Sequence, residues 1–181
     1  QAWVLSRMRI EITKLPKWKD VITIKTWIKT LENSRSIRCL EMYLNDEKIV
    51  GCETFWVVIN TKTRRPDNLV LPHSHFEKFD TDSILKPIQK INIPEVFTFK
   101  NEKTIQLSDI DIVNHANNVK YLEWCLDVTN VETVLSNKIK ALNLNYLQEL
   151  NYNDVIEIHH TSNSFLITKD GKSCFALEVE I

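Results

Sequence analysis

The sequence predicts an α+β fold in which two antiparallel sheets follow one another, the second wrapped on a central helix. Three observations carry this. Long stretches alternate apolar and polar residues with a period of two, as half-buried strands do. WKDVITI at 18–24 and YNDVIEI at 152–158 match position for position, and LNLNY at 142–146 repeats the alternation of MRIEI at 8–12, so the chain is a tandem repeat. Only residues 117–130 show apolar spacing of threes and fours, at Val119, Leu122, Cys125, Leu126 and Thr129, which suits one face of a helix. A sheet with one face to bury and a single apolar helix at hand most simply curls around that helix.

In order, residues 3–13 form the first strand, with Met8, Ile10 and Ile12 on one side and Arg7, Arg9 and Glu11 on the other. Leu15-Pro16-Lys17 ends it, and strands follow at 21–30, 36–44 and 48–60, the last two joined by a turn at Asn45-Asp46. This is the first repeat, 1–60. Arg64, Arg65, Pro66, Pro72, Pro87 and Pro94 interrupt any period through 61–95, which reads as a linker. The second repeat, 96–181, holds a strand at 96–106, the helix, and strands that include 142–146, 152–158 and 174–181, with Asp170-Gly171-Lys172 as the hairpin turn answering Asn45-Asp46. By this correspondence the first repeat starts at its second strand, without the leading strand and helix of its twin.

Composition excludes several functions. A formal net charge of −1 over 181 residues suggests neither nucleic-acid binding nor membrane adhesion. No apolar run approaches the ~20 residues of a membrane span. The opening Gln1-Ala2-Trp3 runs directly into strand-like sequence with no leader, which points to the cytoplasm. Cys39, Cys52, Cys125 and Cys174 lie singly in apolar patterns, as reduced buried thiols do. Only two glycines are present, so no phosphate-cradling loop exists and dinucleotide and P-loop readings fall. His73 and His75 have a metal-like spacing, but no Cys or further His accompanies them, and neither metal nor cofactor is expected. His159 and His160 point to opposite faces of a strand and cannot share a metal.

Chemistry concentrates in DIDIVNHANNVKYLEW, residues 109–124, with two carboxylates, a histidine and three asparagines just before and at the helix start. Any one of Asp109, Asp111 or Asn114 could cap that helix. Six such residues together suggest instead that first-turn N–H groups and the positive end of the helix dipole face a ligand carbonyl or anion, with Asp111 and His115 beside it. A nucleophile pair of Cys125 and His115 would have to reach about 15 Å along the helix axis, so Cys125 reads as a core thiol.

WVLSRMRIEI from Trp3, PKWKDVITIKTW from Pro16 and SDIDIVNHANNVKYLEW from Ser108 resemble the acyl-acyl carrier protein (acyl-ACP) thioesterases of plant plastids and bacteria, along the whole chain. The resemblance implies a double hot-dog fold and hydrolysis of fatty acyl-ACP without a cofactor. It implicates an Asp, an Asn and a His spaced D-x-N-x-H, and a Glu from a later strand. These fall on Asp111, Val113, His115 and Glu149, so the Asn position is occupied by a residue that cannot hydrogen-bond. Asn114 is adjacent to it, Asn117 and Asn118 match the family's paired asparagines, and these three are the candidate substrate-binding residues. Glu149 has Leu15 as its counterpart in the first repeat, which fits one site per chain. Strict alternation, however, puts Glu149 on the face opposite Leu142, Leu144 and Tyr146, and a bulge or a strand end is needed to re-aim it. The expected partner is acyl carrier protein, met by basic residues among Lys14, Lys17, Lys19, Lys62, Arg64 and Arg65, and a homodimer is entertained. Two other readings stay open: a hot-dog acyl-CoA thioesterase or acyl-thioester hydratase, and a non-catalytic acyl-binding module.

Overall fold

The structure, a computed structural model, describes residues 1–181 and divides into two compact units, Gln1–Gln89 and Lys90–Ile181. Unit 1 holds β1 (Ala2–Ile12), β2 (Ile22–Glu32), β3 (Arg35–Leu44) and β4 (Glu47–Ile59), antiparallel in the order β2-β3-β4-β1. Unit 2 holds β5 (Phe99–Thr104), α1 (Asn118–Asp127), a short α2 (Val131–Leu135), β6 (Ala141–Tyr146), β7 (Val155–His160), β8 (Ser164–Lys169) and β9 (Lys172–Glu180). Its sheet order is β6-β9-β8-β7-β5, again antiparallel.

The repeat holds down to register. Ile10 and Glu11 of β1 pair with Cys52 and Gly51 of β4, as Leu144 and Asn145 of β6 pair with Leu177 and Ala176 of β9. Ile24 pairs with Met42 as Ile158 pairs with Ile167. The turns agree as well. Lys17 N–H donates to the Asp20 carboxylate at 2.7 Å and Asn151 N–H to the Asp154 carboxylate at 2.8 Å. Lys19 and Asn153 both take a left-handed backbone, at φ 74° and 65°.

Residues 61–89, expected as part of a linker, belong to unit 1 and in part strap one face of its sheet. Trp27 Nε1 donates to the Thr81 carbonyl at 3.0 Å, Ser83 Oγ to the Cys52 carbonyl at 2.7 Å and Lys48 Nζ to the Ser83 carbonyl at 2.7 Å. The Glu11 carboxylate accepts from Leu85 N–H at 2.7 Å and Lys86 N–H at 3.1 Å. A Cβ on Gly51 would come within 1.9 Å of the Ser83 carbonyl oxygen, so only glycine permits this approach. The strap runs over the charged side of β1, and Arg9 and Glu53 are each only 3% exposed. Met8, Ile10 and Ile12, on the apolar side, stay half-buried.

In unit 2 the apolar face of the sheet is buried beneath α1. Leu144, Ile158, Phe165, Ile167, Phe175 and Leu177 are all buried, together with Tyr121, Trp124 and Cys125 of α1. The Tyr121 ring lies 5.4 Å from that of Phe175 and 5.6 Å from that of Tyr146. The helix thus shifts its inward face from the one its spacing suggested: Cys125 is buried as expected, Leu122 and Leu126 are half-buried, Tyr121 and Trp124 join the core, and Val119 is exposed. It also stops three residues early, because the Asn130 side chain caps the next helix by accepting from Glu132 N–H at 2.8 Å.

Candidate active site

The sequence between β5 and α1 folds back on itself before the helix begins. A single 3-10 turn, Leu107–Asp109, is closed by Asp109, whose carboxylate accepts from Gln106 N–H at 2.9 Å. Asp109 thus caps this turn and not α1, although its carbonyl accepts from Asn117 N–H at 2.8 Å. Next comes a tight loop, 111–115. Asp111 N–H donates to the His115 carbonyl at 2.9 Å and Asn114 N–H to the Asp111 carbonyl at 3.1 Å, with Asn114 left-handed at φ 64°. Asparagine tolerates that conformation better than most residues.

Within this loop Asp111 holds backbone. One carboxylate oxygen accepts from Val113 N–H at 2.9 Å and from His115 N–H at 3.3 Å, an Asx-type turn that fixes where the His115 side chain leaves the chain. Asn117 is the N-cap of α1, its side chain accepting from Val119 N–H at 3.0 Å, while Lys120 N–H donates to the Asn117 carbonyl at 2.9 Å. Two of the first-turn donors expected to face a ligand are thereby taken. The Asn118 amide, at the first helical position, has no partner within the helix. The Asn118 carbonyl accepts from Tyr146 hydroxyl at 3.1 Å.

Glu149 arrives from the other side. β6 ends at Tyr146, and both Leu147 N–H and Gln148 N–H donate to the Cys174 carbonyl, at 2.8 and 3.1 Å. Two successive amides on one acceptor break the alternation, so Glu149 is not held to the outer face. The segment is then tied to α1 and its entry loop. Ala116 N–H donates to the Leu150 carbonyl at 2.8 Å, Leu150 N–H to the Tyr121 hydroxyl at 3.1 Å, and that hydroxyl to the Gln148 carbonyl at 3.4 Å. As a result His115 Nε2 lies 3.5 Å from Glu149 Oε2, with both side chains about one-third exposed. A histidine and a carboxylate, at the positive end of a helix and open to solvent, can between them accept a proton from water and polarise a carbonyl.

The structure therefore brings His115 and Glu149 together, and joins Asp111 to His115 through the backbone. Asn114 and Val113 are exposed at the loop tip, beside a fully exposed Ile112. Leu15, the counterpart of Glu149, is half-exposed with no carboxylate to offer. Sequence reasoning missed Tyr121, because the apolar spacing it followed leaves Tyr121 off the expected inward face. Burial pushes the Tyr121 phenol well above the usual tyrosine range, so it remains a donor. Burial likewise raises the thiols, Cys52 to about 12 and Cys39 to about 11, and raises Cys125 as well, which makes them poor nucleophiles. His73 bonds the Leu71 carbonyl at 3.0 Å, and His75 lies against Phe76.

Comparison with known proteins bears on this geometry. Residues 1–72 match the acyl-ACP thioesterase N-terminal domain and residues 95–178 the acyl-ACP thioesterase C-terminal domain. An oleoyl-acyl carrier protein thioesterase of Arabidopsis thaliana, a chloroplastic protein, is 30% identical over 177 residues, covering 90% of this chain and 48% of its own length. Its counterpart from Coriandrum sativum, also chloroplastic, is 29% identical over 170 residues, covering 86% of this chain and 46% of its own. The chain spans about half the length of the curated relatives it matches. Among solved structures, an acyl-ACP thioesterase from Bacteroides thetaiotaomicron superposes with a TM-score of 0.84 at 25% identity, over 98% of this chain and 75% of that one. A 12:0-ACP thioesterase from Umbellularia californica superposes with a TM-score of 0.81 at 21% identity, over 99% of this chain and 74% of that one.

The chloroplastic relatives overturn the expectation of a cytoplasmic protein. That expectation rested on residues 1–3, which carry no information about a leader in a chain spanning half its relatives' length. The tandem hot-dog fold expected from the repeat is the fold of these structures. Both family domains, in order and over 1–72 and 95–178, place the chain in the acyl-ACP thioesterase family.

Proposed function

We propose that this chain hydrolyses the thioester of a fatty acyl-acyl carrier protein, releasing free fatty acid and ending chain elongation, with His115 and Glu149 as the reacting pair. The approach of His115 Nε2 to Glu149 Oε2, 3.5 Å at the start of α1, is the observation that carries the reading. The relatives' names supply the substrate class.

The chemistry asks little of the protein. A thioester expels a thiolate whose thiol has a pKa of about 8.5, so the leaving group needs no strong general acid. What remains is to polarise the carbonyl and deliver water. Glu149 removes a proton from water as the water attacks the carbonyl, or attacks the carbonyl itself, expelling the thiolate to give an anhydride that water then cleaves to fatty acid and free Glu149. His115 orients the water or the carbonyl oxygen. The Asn118 amide, at the positive end of α1, is the backbone donor for the developing oxyanion. Asp111 acts one step back, holding the loop through the Val113 and His115 amides. That division of labour accommodates Val113, because the loop is ordered by Asp111 and by the left-handed Asn114 without an amide side chain at 113.

The test is thiol release from acyl-ACP and acyl-CoA, measured side by side. Glu149→Gln and His115→Ala should each lower turnover on the order of 100-fold or more. Wild-type rates in both would overturn the reading. Release from acyl-CoA with little from acyl-ACP would assign the acyl-CoA alternative, and tight acyl binding without release the binding-module one.

A further inference from the structure

We infer that Tyr121 is a positioning residue for the reaction: its hydroxyl clamps the peptide groups on either side of Glu149 and so sets the carboxylate against His115. The inference rests on the reading of Glu149 as a reacting group. Its basis is the pair of bonds made by one oxygen, which accepts from Leu150 N–H at 3.1 Å and donates to the Gln148 carbonyl at 3.4 Å. Glu149 lies between those two residues, beyond the end of β6, where no strand ladder holds it. A backbone so placed depends on individual bonds for its direction, and small misplacements of a reacting group are costly in rate.

Tyr121 is suited to the task by being immobile. It is buried, and its ring sits among those of Trp124, Tyr146 and Phe175 at 5.3, 5.6 and 5.4 Å. Its position on α1 is in turn set by the helix start that carries Asn117 and follows His115. One rigid element thus fixes both partners: His115 through the entry loop, and Glu149 through the Tyr121 hydroxyl. Ala116 N–H, donating to the Leu150 carbonyl at 2.8 Å, closes the same frame one residue from His115.

Tyr121→Phe removes both bonds and keeps the ring. In the intact protein it should lower kcat about tenfold, with KM for acyl-ACP within about twofold and a melting temperature within a few degrees of wild type. The discriminating readout is a double-mutant cycle with Glu149→Asp, followed under single-turnover conditions with enzyme in excess. If the hydroxyl acts through Glu149, Tyr121→Phe should cost much less in the Glu149→Asp background than in wild type. An unchanged kcat in Tyr121→Phe, or a full tenfold loss in both backgrounds, would overturn the clamp. Wild-type turnover in Glu149→Gln is a separate result, which would remove the underlying reading without any change at Tyr121.

Discussion

The two repeats share their register residue for residue, but different elements of this chain cover them. In unit 2 the apolar side, with Ile158, Ile167, Phe175 and Leu177, lies beneath Tyr121, Trp124 and Cys125 of α1. In unit 1 the strap covers the charged side, where Arg9 and Glu53 are buried. Equivalent strands thus meet different covers, α1 on the apolar side of unit 2 and the strap on the charged side of unit 1, and the alternation does not record which residues supply them. The strap itself has a trace in the second unit: Asn145, the counterpart of Glu11, accepts from Ile91 N–H at 3.0 Å. Leu15 and Glu149 hold matching positions in the repeats, and Glu149 is the one that lies beside His115 at the start of α1.

Gly51 is where that comparison breaks most sharply. Its counterpart Ala176 already carries a Cβ in a buried strand, whereas a Cβ at 51 would collide with the Ser83 carbonyl at 1.9 Å. Gly51→Ala should push the strap off the sheet, disturbing the Ser83–Cys52 and Lys48–Ser83 bonds, and destabilise the protein by about 3 kcal/mol. Ala176→Gly should cost only about 1 kcal/mol. Urea denaturation of the two variants reads the difference, and equal losses would mean that the strap is not held by its approach to Gly51.

Period-two alternation and turn residues made the strands, the hairpins and the repeat legible in the sequence, because these depend on neighbours a few residues apart. What covers each face did not show, since Ser83 lies 31 and 35 positions from Cys52 and Lys48 on β4 and no local pattern records the meeting. The same holds at the site. Alternation counted through Leu147 and Gln148 sends Glu149 outward, and only the shared Cys174 acceptor reveals that the strand has already ended. The polar cluster before the helix pointed to Asp111 and His115, and resemblance to a family added Glu149, where periodicity alone did not. The inward face of α1 was legible only in part: Cys125 follows the apolar spacing, whereas Tyr121 and Trp124 are buried through contacts such as Tyr121 with Phe175 that lie far apart in sequence.

The paired turns sharpen the comparison with a smaller effect. Asp20 and Asp154 each accept one turn amide, but Asp154 also binds Lys169 Nζ at 2.6 Å. Asp154→Ala should cost about 2 kcal/mol and Asp20→Ala about 1 kcal/mol. Partial burial raises the Asp154 carboxyl, but the Lys169 ammonium and the Asn151 amide outweigh it and hold the folded pKa below its ordinary value. The unfolded chain then binds the proton more tightly, so the stabilisation is present above the unfolded value of about 3.9 and is lost as pH falls through the folded one. Denaturation of wild type and Asp154→Asn at pH 7 and pH 3 should show their gap narrowing at the lower pH. A gap of the same size at both would sever the link to the carboxylate charge.

The smallest expected effect lies at the two hairpins that join β3 to β4 and β8 to β9. Asn45-Asp46 and Asp170-Gly171 put both central residues in the left-handed region, at φ 50° and 65° and at 51° and 71°. Turns of this kind match the twist of the flanking strands and favour glycine at the second position, which unit 1 lacks. Nothing lies within 4 Å of a Cβ built on Gly171, so Gly171→Ala should cost only the conformational penalty, about 1 kcal/mol. Asp46→Gly should recover a few tenths of a kcal/mol, since aspartate tolerates the left-handed region better than alanine does. Thermal melts of both variants would show opposite shifts if backbone conformation governs these turns. A stabilising Gly171→Ala would mean instead that the unfolded-chain entropy of glycine outweighs the strain at φ 71°.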